Sequence, residues 1–209
     1  MKTKFLCISI ILLISNALSA QNATKIIDSF IANAKSSAIK TDFSLTVKEK
    51  NAKQGQTVKG NFTMKANKFI MTMNNMTVYF NGKTQWAYTP ETEEVTITEP
   101  TSEELAETNP MAILYSYRAT SDIKFAANNS NSANYTIEMT PKTQKSNLQT
   151  ITVIIDKKTG NLLSINQIEK NGNTLTLTLT NYKNKIVIAD TAFNFNIKQH
   201  KGVTVNDLR

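Results

Sequence analysis

The sequence predicts a mainly β protein with some α-helix: a curved antiparallel sheet of about eleven strands that forms an incomplete half β-barrel, covered by a helical lid and enclosing a hydrophobic cavity. Short runs of alternating apolar and polar residues indicate half-buried strands. Turn dipeptides such as Asn81-Gly82 and Asn171-Gly172 separate these runs. Two segments have helical periodicity, too few to cover the whole sheet, so an apolar hollow should remain.

The first twenty residues have the three parts of a secretory signal peptide. Lys2 and Lys4 precede an apolar run from Phe5 to Ile14, and small residues follow up to Ala20. The run is shorter than the about 20 apolar residues that a transmembrane helix needs. We therefore expect export, cleavage after Ala20 or one residue earlier, and a single mature domain over residues 21–209. The only cysteine, Cys7, leaves with the signal.

The elements follow in chain order from local patterns. Apolar residues at helical spacing, among them Ile27, Phe30 and Ala34, predict an amphipathic helix over Asn22–Ile39. A capping box, Thr101-Ser102-Glu103-Glu104, opens a second helical region that ends with Met111–Tyr117. Predicted strands cover Thr57–Lys65, Lys68–Met73, Met76–Phe80, Ile123–Ala127, Asn134–Thr140, Gln149–Asp156, Leu162–Glu169, Thr174–Tyr182 and a terminal segment around Phe193–Ile197. Three more strands are predicted: one begins at Thr41, one contains Trp86 and ends before Pro90, and one begins at Val95.

The hairpin at Asn81-Gly82 is the clearest local signal. A type I′ turn needs positive φ at both central residues, which this dipeptide supplies. Trp86 and Tyr88 then share one face of the next strand, and Pro90 ends that strand. The remaining turns are predicted at Gly55, Ala66-Asn67, Asn74-Asn75, Thr159-Gly160 and Asn171-Gly172.

Charge is unevenly distributed along the chain. The net charge is +8, and about +6 without the two signal lysines. A window over residues 91–107 has no basic residue and contains Glu91, Glu93, Glu94, Glu99, Glu103, Glu104 and Glu107. We expect this window at the rim of the cavity mouth. The rest of the chain is basic, but arginine occurs only at positions 118 and 209, so anionic lipid head groups or acidic proteins are expected partners rather than nucleic acid.

No pattern predicts an enzyme. His200 is the sole histidine, and the chain has no nucleophile-elbow motif, no phosphate-binding glycine loop and no histidine-based metal cluster. The adjacent Glu93 and Glu94 would point to opposite faces of a strand. We therefore expect no catalytic residue, no metal and no cofactor.

The ordered motifs resemble the periplasmic outer-membrane lipoprotein carrier family (LolA-like). The stretch Phe80–Ile97 is similar to the family's "DGKTLW-Y-P--EQ" segment, and Thr108–Leu114 to its lid segment. Further likeness lies in Val58–Lys65, in Ile151–Ile168, and in Phe193–Phe195 followed by Gly202–Asp207. The resemblance covers the chain from about residue 23 to its end.

The resemblance implies a monomeric periplasmic carrier that binds the acyl chains of lipoproteins and shuttles them from the inner to the outer membrane. Its implied partners are acylated lipoproteins, an inner-membrane ABC-type lipoprotein-releasing complex and an outer-membrane acceptor. By pattern alone the inward residues would be plain core; the resemblance favours an acyl-chain wall instead, and clustered methionines suit flexible chains. The implied wall comprises Phe43, Leu45, Phe62, Met64, Phe69, Met71, Phe80, Trp86, Tyr88, Ile113 and Leu114.

One departure concerns the lid. Family members commonly have an arginine in a "KRP" element, where it holds the lid shut, whereas this chain has Lys65-Ala66-Asn67. The latch is therefore missing at Ala66, and Lys65 or Lys68 would have to replace it without the planar fork of arginine. Two alternatives to a carrier stay open: a periplasmic lipid- or lipoprotein-sensing regulator of the same fold, and a structural or adhesive surface β-protein.

Overall fold

The computed structural model describes residues 20, 22–101, 104–105, 112–127 and 133–209. The predicted signal peptide, except residue 20, lies outside this range, as do Ser102, Glu103 and most of the predicted lid segment before residue 112. Two helices are labelled: α1 covers 22–36 and α2 covers Ala112–Tyr117. The strands are β1 Ala38–Lys48, β2 Gln56–Lys65, β3 Lys68–Met73, β4 Met76–Phe80, β5 Gln85–Thr89, β6 Glu94–Thr98, β7 Ser121–Phe125, β8 Asn134–Pro141, β9 Leu148–Asp156, β10 Leu162–Glu169, β11 Thr174–Ile186 and β12 Thr204–Asp207.

All twelve of these strands form one open sheet, in the order β12-β6-β5-β4-β3-β2-β1-β11-β10-β9-β8-β7. The two edge strands, β12 and β7, do not pair with each other, so the curved sheet is a half-barrel as predicted. Pairing is antiparallel except between β12 and β6, which run parallel. In the middle of the sheet, β1 pairs with β11, and Phe43 lies opposite Leu179 and Leu45 opposite Leu177.

Two elements of the structure differ from those that the sequence predicts. The helix α1 stops at residue 36 rather than Ile39, because Ala38 and Ile39 pair in the sheet with Ile186 and Met64. The predicted strand around Phe193–Ile197 is wrong. Short 3₁₀ helices cover Asp190–Phe193 and Ile197–Gln199, and the last strand is β12.

The Asn81-Gly82 hairpin is confirmed, but its turn is not type I′. The loop between β4 and β5 spans residues 81–84, and only Gly82 has a positive φ, of 100°. The side chain of Asn81 accepts hydrogen bonds from the backbone N–H groups of Lys83 and Thr84, which closes the loop in another way. The Asn74-Asn75 turn does have positive φ at both residues.

The core lies between the concave inner face of the half-barrel and the two helices. One face of α1 is buried through Ala23, Ile27, Phe30 and Ala34, as its helical periodicity predicts. From α2, Ile113 and Leu114 join the same cluster. We call α1 and α2 together the lid, because they cover the apolar face of an otherwise open sheet.

Candidate functional site

An open cavity of about 780 Å³ lies at one end of the half-barrel. This end, the mouth, is formed by the β2–β3 turn, the β4–β5 loop and residues 99–100, together with Lys35 at the end of α1 and part of α2. Its volume is in the range of ligand-binding pockets. The apolar lining consists of Met64, Ala66, Phe69, Phe80, Pro100, Leu105 and Ala112.

The rings of Phe69 and Phe80 form the floor of this cavity, and the ring of Phe62 stacks against Phe69 outside the lining. The ring centroid of Phe69 lies 5.6 Å from that of Phe62 and 5.4 Å from that of Phe80. All three side chains are buried on the inner face, where Phe69 pairs with Phe80 and Phe62, which pairs with Met71, is a diagonal neighbour of Phe69. The floor is therefore apolar, and α2 contributes further residues to the lining.

Nine of the eleven predicted acyl-chain residues lie in or against the inner-face core. Of these, Met64, Phe69 and Phe80 line the cavity directly. The others lie in the packed interior or against it: Phe43, Leu45, Phe62, Met71, Ile113 and Leu114.

The sequence reasoning missed several lining residues, among them Lys35, Leu105, Ala112 and Tyr115. A signal for one of them exists in the sequence, because the capping box at Thr101 predicts a helix that would contain Leu105. The Thr101 hydroxyl and the Glu104 carboxylate do make the reciprocal hydrogen bonds of such a box.

The placement of Trp86 and Tyr88 in the cavity wall is wrong. Trp86 pairs with Tyr79 across β4 and β5, whereas the neighbouring pair Val78 and Ala87 belongs to the inner face. Since side chains alternate along a strand, Trp86 and Tyr88 lie on the outer face of the sheet.

Aromatic residues of the C-terminal segment cover this outer face. The ring of Phe195 lies 4.9 Å from that of Tyr88 and 5.8 Å from that of Tyr79, measured between centroids. The centroid of the His200 ring lies 4.5 Å from those of both Tyr88 and Phe195, and His200 stacks on Phe195. The sole histidine thus belongs to a second, smaller apolar layer outside the half-barrel, away from the cavity.

The predicted latch position, Ala66, contacts α1 through its backbone. Its N–H donates to the carbonyl oxygen of Ala34 at 3.3 Å, and its φ is 55°. Lys65 and Lys68 both pair with Asp190, at 2.8 and 2.7 Å, and this holds the C-terminal segment to the β2–β3 turn. The pKa of Asp190 falls to about 2, because it accepts hydrogen bonds from Lys65 and Lys68. These two lysines therefore tie down the C-terminal segment instead of α2.

An arginine elsewhere joins the two parts of the lid. Arg118, which directly follows α2, makes a two-pronged ion pair with Asp28 of α1; the Nη2–Oδ2 distance is 2.8 Å. The hydrogen bond from Arg118 lowers the pKa of Asp28, so the pair is ionised at neutral pH. The Tyr117 hydroxyl adds a contact of 3.1 Å to the Ser146 hydroxyl. These contacts hold the C-terminal end of α2 against α1 and the residues before β9. No pattern in the sequence predicts them.

Tyr115 brings a polar group into this apolar region. Its hydroxyl is buried and has no hydrogen-bond partner among the described residues, and burial raises its pKa to about 12. Burial also raises the pKa of the nearby Tyr182. The ammonium group of Lys35 lies 5.9 Å from the centroid of the Tyr115 ring.

The acidic window does not lie at the mouth as one surface. Glu99 lines the cavity and pairs with Lys83 at 3.2 Å. Glu91 instead accepts a hydrogen bond from Asn75 of the β3–β4 turn, at the opposite end of the strands. Glu93 and Glu94 lie beside it, because the β5–β6 hairpin reverses the chain within the window. Two further members of the window, Glu103 and Glu107, lie outside the described residues.

Within the described part of the chain, no three histidine, cysteine, aspartate or glutamate side chains come together as a metal site would require. Over the same residues, no helix is both long and apolar enough to cross a membrane.

The family model for the outer membrane lipoprotein carrier protein LolA matches residues 34–196. The chain belongs to the LolA family. Comparison with curated proteins returns no match. Among solved structures, an uncharacterised conserved protein from Thermus thermophilus is 12% identical, with 89% of this chain and 99% of that chain covered and a TM-score of 0.55. A LolA superfamily protein from Nitrosomonas europaea is 10% identical, with 83% and 97% covered and a TM-score of 0.42. The Thermus structure shows the same fold.

Proposed function

We propose that this LolA family protein is a periplasmic carrier that holds lipoprotein acyl chains in its mouth cavity and shuttles them from the inner to the outer membrane. The observation that carries the proposal is the cavity itself. Its interior is apolar, it is open to solvent at the mouth, its floor is formed by Phe69 and Phe80, and residues of α2 complete its lining. The predicted signal peptide supports the periplasmic location.

The energetics of acyl burial suit a carrier. Each buried methylene contributes roughly 0.8 kcal/mol, so about twelve methylenes give on the order of 10 kcal/mol before reorganisation costs. This gain is enough to keep an acyl chain out of water. Release then requires the protein to weaken the same contacts, which a movable lid provides.

Lid opening follows from how the interior is filled. Beneath the cavity, Ile113 and Leu114 of α2 are buried against the inner face of the sheet. An acyl chain that is too long for the open cavity must displace these two side chains, so we expect α2 to move away from the sheet as cargo enters. The backbone hydrogen bond from Ala66 holds α1, and the Asp28–Arg118 pair connects α1 to α2.

The proposed cycle involves binding and transfer without chemistry. An inner-membrane ABC-type lipoprotein-releasing complex would supply the energy that loads the carrier, and an outer-membrane acceptor would unload it. The protein contributes a closed state that shields the acyl chains and an open state that exposes them.

Calorimetric titration with a diacylated lipopeptide tests the proposal, with the same peptide lacking acyl chains as the ligand control. We expect saturable binding of the acylated peptide alone. Ala112→Trp, which fills the cavity, should weaken binding, whereas Ala119→Trp, at an exposed position after α2, should not. Equal binding of both peptides, or equal effects of both variants, would contradict the proposal. Binding without transfer to acceptor vesicles would favour a lipid-sensing regulator.

A further inference from the structure

The described part of the mouth lining is cationic, although the interior of the cavity is apolar. Among the described residues, three lysines, Lys35, Lys68 and Lys83, line the cavity together with a single carboxylate, Glu99. The lysines come from three separate elements: the end of α1, the start of β3 and the β4–β5 loop. An acyl chain by itself gives no reason for this charge, because hydrocarbon gains nothing from cations beside it.

The three lysines differ in their partners. Lys68 pairs with Asp190, which does not line the cavity, and Lys83 pairs with Glu99. Lys35 has no acidic partner in the part of the chain that the structure describes. Its Nζ atom lies over the Tyr115 ring, 5.9 Å from the centroid, at the edge of the same cavity. Such a contact holds an ammonium group in place while leaving its hydrogen-bond donors unused.

We infer that the mouth binds an anionic head group, so that the preferred ligands are acyl chains that end in a carboxylate or a phosphate. This inference rests on the cavity of the proposed function and goes beyond that function: the acyl chains of a lipoprotein are held in ester and amide bonds, so the same cavity would also take single fatty acids and phospholipids. The chain lies on the Phe69 floor, and the anion lies at the rim, where Lys35 donates a charge-assisted hydrogen bond. Lys68 and Lys83 add a positive field that Asp190 and Glu99 partly cancel.

A series of ligands with the same dodecyl chain separates the head group from the chain. Titrations below micelle concentration compare dodecanoate and dodecyl phosphate with the zwitterionic dodecylphosphocholine and the neutral dodecyl maltoside; inorganic phosphate alone is the control without a chain. We expect both anionic ligands to bind about tenfold more tightly than the neutral one, the effect of one charge-assisted hydrogen bond. The advantage should shrink at high salt.

Lys35→Gln should remove most of this advantage by weakening the two anionic ligands much more than dodecyl maltoside, and Lys35→Arg should retain it. Lys53→Gln, which changes an exposed lysine in the loop between β1 and β2, is the matched control and should have no effect.

Equal affinity for all four dodecyl ligands would overturn the head-group inference and leave the carrier proposal standing. No binding of any dodecyl ligand would overturn both. Binding of inorganic phosphate as tight as that of dodecyl phosphate would show an anion site independent of the cavity, and would also contradict the inference.

Discussion

Replacing Asp28 with asparagine removes the ion pair that joins α1 to the residue after α2. The substitution keeps the size of the side chain, and water can still solvate the Arg118 guanidinium, so no charge is left buried. Side-chain exposure of 35% for Arg118 and 48% for Asp28 places the pair at a partly solvated site. Exposed pairs contribute about 0.2–1 kcal/mol, and a two-pronged arginine–carboxylate pair belongs at the upper end.

A loss of about 1 kcal/mol corresponds to a roughly fivefold change in an equilibrium constant. We therefore expect the open state of α2 to be about fivefold more populated in Asp28→Asn. Hydrogen exchange of the backbone amides of residues 112–118, followed by mass spectrometry, measures this change directly. Their exchange should be about fivefold faster than in the wild type, whereas amides in β9 and β10 should be unaffected.

Asp190→Asn is the matched control, because it removes exposed ion pairs that connect the C-terminal segment to the β2–β3 turn and do not involve the lid. A charge reversal that places arginine at position 28 and aspartate at position 118 should restore slow exchange. Unchanged exchange in Asp28→Asn would refute a role of this pair in closing the lid. The same acceleration in Asp190→Asn would also refute it, since the effect would then be general.

Acyl binding should leave the fluorescence emission of Trp86 unchanged, because its side chain lies on the outer face; a saturable emission shift with lipopeptide would contradict that placement. Gly60→Ala should lower the free energy of unfolding by about 1–3 kcal/mol, measured in urea. The added Cβ would lie 2.1 Å from the carbonyl oxygen of Thr72, and an unchanged midpoint would argue against this close packing. Stabilisation by Asp190 should be present above its unfolded pKa of 3.8 and disappear as the pH falls through about 2. Unfolding of the wild type and of Asp190→Asn at pH 7 and pH 2 tests this, and a difference as large at pH 2 as at pH 7 would count against it.

The half-barrel could be predicted because its strands carry local signals. Phe43 and Leu45 alternate with polar residues, and they do lie on the inner side of β1. Turn residues such as Asn74-Asn75 have the positive φ that their sequence favours. These features depend on the period of a strand and on turn chemistry, both of which are local properties of the chain.

The face assigned to Trp86 and Tyr88 could not be predicted in the same way. Alternation shows that the two side chains share a face, but it does not show which face the helices cover. That choice depends on Phe195, more than a hundred residues later in the chain, whose ring contacts Tyr88. The alternation of Phe193 and Phe195 likewise resembles a strand, although Phe193 ends a 3₁₀ helix and Phe195 packs against the outer face.

The contacts of the lid are also long-range. In the sequence Arg118 stands out only for its rarity, and its partner Asp28 lies 90 residues earlier in the chain. The acidic window is continuous in sequence, but a hairpin inside it separates Glu91 from Glu99. Charge counted along the chain therefore predicts the composition of the mouth poorly, and the lysines that line it come from three elements that only the fold brings together.

Photo-crosslinking of a lipopeptide with a diazirine at the end of one acyl chain tests most directly whether the mouth cavity holds the cargo. Peptide mapping by mass spectrometry should place the label on the inner face between Met64 and Phe80 and on α2, and unlabelled lipopeptide should compete for it. Label concentrated on the outer face around Trp86 and Phe195, or label that unlabelled lipopeptide does not displace, would contradict a carrier that uses this cavity.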